Sequence, residues 1–205
     1  MESCVGNERK QSICKKYYIK PVIHSVLLNG QVKDGCCGPL SDEYYTFGYK
    51  VRNSKEVELD YFNVGKSCAQ SFLEIIRHSG LPIFNPLRAA PSIHGKDASG
   101  VNRSDRGTAA PINVELIQAI NLLCISWGLI PKSTIADILD FTRKRPNIPN
   151  LMGVEIMNKI ISKDKQERTL RTMIDELRVK NDIREFRFDL INEHLNSKKL
   201  KNYFG

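Results

Sequence analysis

Between residues 44 and 78 the hydrophobic period of the chain changes once, from two to about 3.6, and that change fixes the local fold. "YYTFGYKV" and "VELDYFNV" alternate apolar and polar residues on either side of the turn-like "RNSKE", so they read as a β-hairpin. Directly after it, Ala69, Phe72, Leu73 and Ile76 fall on one face of a helix running from Ser67 to His78. Ser67 is its N-cap, and Gly80 and Pro82 stop it. The segment is a hairpin-to-helix junction whose first helical turn carries Cys68.

Gly65-Lys66-Ser67 at this junction has the ending of a phosphate-binding loop but not its beginning. The full loop needs a leading glycine so that its backbone N–H groups can curl around the phosphates. Residue 60 would have to supply it, and that residue is Asp60, whose carboxylate repels such a ligand.

The cysteines suggest a different chemistry. The chain lacks an apolar run of about 18 residues, and its polar start, "MESCVGNERKQ", lacks the apolar stretch of a secretory signal. The expected protein is soluble and cytoplasmic, with no membrane partner, and Cys4, Cys14, Cys36, Cys37, Cys68 and Cys124 are expected as thiols or metal ligands rather than a disulfide framework. The turn "DGCCGPL" before the hairpin, and Cys68 at the head of the following helix, resemble a treble-clef zinc finger over about residues 34 to 79. The resemblance implies a Zn²⁺ site.

It departs from the usual paired ligands. The spacing partner of Cys37 is Asp34, beside the adjacent Cys36, and the positions after Cys68 that should add a second ligand are Ser71 and Phe72. His78 lies roughly 15 Å further along the helix, too far to share an ion with Cys68. A complete site must therefore recruit Cys4, Cys14 or His24 from the N-terminal segment. The expected set is Cys36, Cys37, Cys68 and Cys14. The alternative is a metal-free finger with Cys68 as a buried thiol, since free cysteine packs as a small apolar residue.

Around this junction the chain reads as an N-terminal hairpin-helix module over residues 1–87, with a further strand near Ile23 to Leu28. Residues 88–111, "RAAPSIHGKDASGVNRSDRGTAAP", lack periodicity and read as a linker or long loop, with Lys96, Arg103 and Arg106 available to phosphates. Residues 112–205 are mainly helical. Val114, Ile117, Ile120, Leu123 and Cys124 share a face up to Gly128; Ser133 caps a helix bearing Ile135, Ile138 and Leu139, which Pro146 ends. Val154, Met157, Ile160 and Ile161 mark a third helix, and Leu170, Met173, Ile174 and Leu177 a fourth.

The formal net charge is +8 with a pI near 9.2, and Phe141 to Gly205 carries 15 basic against 9 acidic residues. Such a field attracts polyanions. In that region "SKDKQERTLRTMIDELRVKNDIREF" resembles the recognition helix and wing of winged helix-turn-helix proteins, over about residues 132 to 190, although the loop from Pro146 to Met152 is long and Asp175 and Glu176 are acidic. The resemblance implies that Gln166 to Val179 enters the major groove of double-stranded DNA. Arg168, Thr169, Arg171 and Thr172 would then reach bases or phosphates, Arg178 would point outward, and Arg184 and Arg187 on the wing would touch the flanking backbone.

The expected class is thus α+β: a treble-clef-like module followed by a mainly α-helical, winged-helix-like domain. Its expected function is non-enzymatic DNA binding of a transcription-regulator or mobile-element type. A protein-interaction or inhibitor protein without nucleic-acid contact is the alternative. A metal-dependent nuclease using His78 or His94 beside Asp97 is a second, although the four histidines form no recognisable catalytic motif. The tail adds Lys198, Lys199 and Lys201 as possible phosphate contacts, or frays.

Overall fold

In the computed structural model, which describes residues 4–55, 58–88 and 109–205, the alternating segments pair as expected. The chain is α+β and divides into the units Met1–Asn85 and Pro86–Gly205. Residues 89–108 of the expected linker, including Lys96, Arg103 and Arg106, lie outside the described residues.

In the first unit, α1 (Asn7–Lys16) leads into β1 (Tyr17–Val26), followed by β2 (Lys33–Gly35), β3 (Gly38–Leu40), β4 (Glu43–Val51), β5 (Asp60–Gly65) and α2 (Lys66–Ile75). Strands β1, β4 and β5 form an antiparallel sheet in that order. β1 starts earlier than the strand expected near Ile23. Its pairing with β4 slips between Pro21 and Ile23, which suits an edge strand, because proline has no N–H to give a ladder. One sheet face supplies Ile19, Tyr45, Phe47, Phe62 and Val64, and the helices supply Ile13, Cys14, Ala69, Phe72 and Leu73. Phe47, Phe62 and Phe72 meet with ring centroids 5.5–5.7 Å apart, a spacing favourable for aromatic pairs.

The helix α2 ends before the expected Gly80. Arg77 takes the left-handed conformation (φ 55°), and the N–H of His78 reaches back to the Leu73 carbonyl, closing the helix with a Schellman-type turn.

In the second unit, α3 (Pro111–Ser126) packs against α4 (Ser133–Lys144), α5 (Leu151–Ile161), α6 (Leu170–Arg178) and α7 (Asp189–Ser197). Leu116, Ala119, Ile120 and Leu123 on α3 are fully or almost fully buried. The expected α3 face is shifted: Val114 is 40% exposed while Asn113 is buried. Asn113 is inside because its amide donates to the carbonyls of Pro146 and Ile148 and accepts from the N–H of Asn150, which closes the loop between α4 and α5.

Two further expectations for this unit are corrected. The helix expected from Gln166 begins at Leu170, because Glu167 is left-handed (φ 55°) and Thr169 is the N-cap, accepting from the N–H of Thr172. The alternating "IREFRFD" is not a strand: it makes one isolated bridge, Ile183 with Leu87, and buries Ile183, Phe186 and Phe188 as core residues instead. The tail does not fray. Phe204 is fully buried beside Phe188, and the carbonyls of Tyr203 and Phe204 accept from the N–H groups of Leu170 and Arg171, satisfying the first turn of α6.

Candidate metal centre

Three separate pieces of the first unit bring four sulfurs to one point. Cys36 and Cys37 are the two-residue turn between β2 and β3, whose last paired residues are Gly35 and Gly38. Glycine is required at 35, since an added Cβ would lie 2.7 Å from the Gly38 carbonyl oxygen and 2.8 Å from the Leu40 side chain. The turn is docked on β5: Cys36 N–H donates to the Asn63 carbonyl (2.9 Å), and the Asn63 amide donates to the Asp34 carbonyl while accepting from the Thr46 hydroxyl. Cys68 sits in the first turn of α2, where the positive end of the helix favours a thiolate. Cys4, fully buried, immediately precedes α1, whose N-cap Gly6 holds a positive φ of 89°.

All four Sγ atoms lie within 4.8 Å of one another. Cys4 is 3.1 Å from Cys37 and 3.5 Å from Cys68, and Cys37 is 3.5 Å from Cys36 and 3.8 Å from Cys68. Cys4 and Cys36 are in disulfide contact, with Cα atoms 5.9 Å apart. Tetrahedral zinc with Zn–S bonds of about 2.3 Å spaces its sulfurs roughly 3.8 Å apart, so three of these four distances fall within a few tenths of an ångström of that spacing, and the 3.1 Å pair needs a small opening. Cys4 and Cys36 can both ligate one ion only as thiolates, with their contact opened. The four cysteines could hold a metal ion. Burial, and after it the hydrogen bond and charge of Cys37, push the Cys68 thiol up to about 11, so a metal arriving here displaces protons.

Of the expected ligands, Cys36, Cys37 and Cys68 are brought together, and Cys14 is not. Cys14 lies near the far end of α1 with its thiol in the core, where burial raises its pKa against the opposing charge of Arg52. Cys4 takes the fourth position. His24 is engaged elsewhere: its Nδ1 is 2.7 Å from the Leu81 carbonyl and its Nε2 2.7 Å from Glu43, with the ring stacked on Tyr45. Burial alone would raise the Glu43 carboxyl, but hydrogen bonds from His24 and Lys66, with their charges, hold it below its ordinary value.

The expected DNA-contacting residues are largely committed within the second unit. Arg168 forms a two-pronged pair with Asp164 (3.1 and 2.9 Å) and a further bond with Glu176 (2.6 Å). Arg178 binds Asp175 at 2.7 Å and the Arg184 carbonyl at 3.3 Å, and Arg187 faces Glu185 at 3.5 Å. Thr169 and Thr172 share a capping hydrogen bond. Beside Arg171 runs the tail: a Cβ added at Gly205 would meet the Arg171 side chain. Arg184 lies over the Phe186 ring at 4.6 Å, and burial lowers its pKa. Of the residues considered for a nuclease, His78 accepts from the N–H of Gly80, and His94 and Asp97 lie outside the described residues.

No helix among the described residues is long and apolar enough to cross a membrane. Over residues 2–200 the chain matches the family described as uncharacterised conserved protein UCP028583, and it belongs to that family. No curated protein and no solved structure matches it.

Proposed function

We propose that the protein binds one zinc ion through Cys4, Cys36, Cys37 and Cys68, and that the ion is structural. The observation that carries this reading is the convergence of four sulfurs from the N-terminal segment, the β2–β3 turn and the head of α2. Thiolate sulfur disfavours hard divalent ions such as Mg²⁺ and Ca²⁺ and suits tetrahedral zinc, and four protein ligands leave no open position for water or substrate. The ion would therefore staple the start of α1 to the β2–β3 turn and to α2. The protein is non-enzymatic in this reading.

Thiolate ligation and the Cys4–Cys36 disulfide exclude one another, because a sulfur in a disulfide has no lone negative charge to offer. Cobalt substitution tests the proposal. Reduced protein reconstituted with Co²⁺ should show the visible bands of a tetrahedral cobalt–thiolate centre, and Zn²⁺ should bleach them at about one equivalent. Cys4→Ser and Cys68→Ser should weaken or abolish the bands and Cys14→Ser should leave them intact; the opposite pattern rejects this ligand set.

Double-stranded DNA binding is a second reading, supported by the net charge of +8. A gel-shift titration across salt tests it, since a phosphate binder loses affinity steeply with ionic strength. An absence of duplex binding at low salt would favour the protein-interaction alternative.

A further inference from the structure

A cleft of about 740 Å³ opens in the first unit between the end of α1, the edge strand β1 and the end of α2. Lys15, Arg52 and Arg77 contribute three cations to its lining, and Ile19, Ile75 and Ile76 its apolar part. Tyr18, 45% exposed on the edge strand, lines it as well. No carboxylate is among the lining residues. Arg52 is held in place by its Nε bond to the Cys14 carbonyl (3.1 Å).

The bland explanation for these cations is that α1 and α2 both end here, and helix C-termini attract positive charge. Each helix end carries only about half a negative charge, so two ends neutralise about one of the three cations and leave roughly two in excess. The excess continues along α1, where Arg9, Lys10, Lys15 and Lys16 stand against the single carboxylate of Glu8. A cationic rim, an apolar wall and an exposed aromatic ring suit a ligand whose repeating unit combines a negative charge with a flat apolar body. A duplex hides its bases in the stack and presents only phosphate to such a cleft; a single strand presents both.

We infer that this cleft binds single-stranded nucleic acid, with a base stacked on Tyr18 and the phosphates on Lys15, Arg52 and Arg77. The site uses none of the four clustered cysteines, and it stands independently of the zinc reading.

The test is fluorescence anisotropy of labelled oligo-dT and oligo-U, with a duplex of equal length and poly-glutamate as comparison ligands, on the full chain as purified. Three phosphate contacts predict a loss of about twentyfold in single-strand affinity from 50 to 200 mM salt. Tyr18→Ala should weaken binding about tenfold by removing the stacking surface. Lys15→Gln with Arg77→Asn should weaken it and flatten the salt dependence; asparagine tolerates the left-handed backbone at 77. Lys159→Gln, exposed on α5 of the second unit and part of no proposed site, should bind as the wild type does. An unchanged melting temperature and far-UV circular dichroism spectrum in each variant show that a loss of binding is local. The inference is overturned by no single-strand binding at 50 mM salt, by duplex or poly-glutamate binding that the cleft variants weaken as much as they weaken single-strand binding, or by cleft variants that bind single strands as well as the wild type.

Discussion

Replacing Asp164 with asparagine should destabilise the second unit by about 3 kcal/mol. The Asp164 carboxylate is buried and accepts from Trp127 Nε1 at 2.7 Å, from the N–H groups of Gln166 and Arg168 at 3.1 Å, and from the Arg168 guanidinium at 2.9 and 3.1 Å. Asparagine keeps the size but loses the charge, and its amide nitrogen would face donors. Hydrogen bonds to a charged group contribute about 1.5–3 kcal/mol each, and breaking a buried pair costs about 3–5 kcal/mol. Because Glu176 still holds Arg168, the lower end applies. For a unit of about 120 residues that is a fall of roughly 12 °C in Tm. The pH dependence has a defined sign. The Arg168 hydrogen bonds, outweighing burial, hold the folded carboxyl well below the ordinary aspartate value of about 3.9, so the unfolded chain protonates first. The stabilisation is therefore complete above about pH 5 and is lost as pH falls below about 4 toward the folded value. Thermal denaturation of wild type and variant across pH should show a gap that narrows in acid. A gap under about 1 kcal/mol at pH 7, or one indifferent to acid, would mean that Arg168 is not anchored as described.

Other consequences follow from the same geometry. Asn113→Ala removes the clamp on the α4–α5 loop and leaves two carbonyls and the Asn150 N–H without it; a loss of about 2–4 kcal/mol is expected by chemical denaturation. Gly35→Ala should force the Cys36–Cys37 turn open and weaken zinc affinity about tenfold or more in a competition titration, while Gly30→Ala, outside the turn, should not reach the metal site. Zinc affinity should fall as pH drops from 8 to 6, because the Cys68 thiol, pushed up to about 11, must give up its proton to the ion. Binding insensitive to pH in that range would argue against thiolate ligation.

The hairpin and α2 were legible in the sequence because a period of two gives way to helical spacing, and the sheet and its aromatic core follow that pattern. Cys36, Cys37 and Cys68 were legible for the same reason, being anchored to those elements. The fourth sulfur was not. Cys4 precedes and Cys14 lies within a helix whose buried residues are Ile13 and Cys14, so local pattern gives little indication of which thiol faces the site. The α6 arginines were placed on an outward face by periodicity alone. Carboxylate partners were nonetheless in view: Asp164, four residues before Arg168 in the segment leading to α6, and Asp175, three before Arg178 on α6. The buried Asn113 beside exposed Val114 shows where apolar periodicity misleads, since a polar side chain that satisfies a loop can displace a valine from the interior. The alternating residues 183–188 read as a strand because Ile183, Phe186 and Phe188 must be buried, but a strand also needs a neighbouring edge, and here that edge is the single bridge to Leu87.

The central claim is most directly tested by the native mass spectrum of the full chain, purified without chelator or reductant. Zinc held by Cys4, Cys36, Cys37 and Cys68 predicts a dominant species heavier by one zinc ion, collapsing to the fully reduced mass when denatured in acid. A dominant metal-free species lighter by two hydrogens, with Cys4 linked to Cys36, would contradict it.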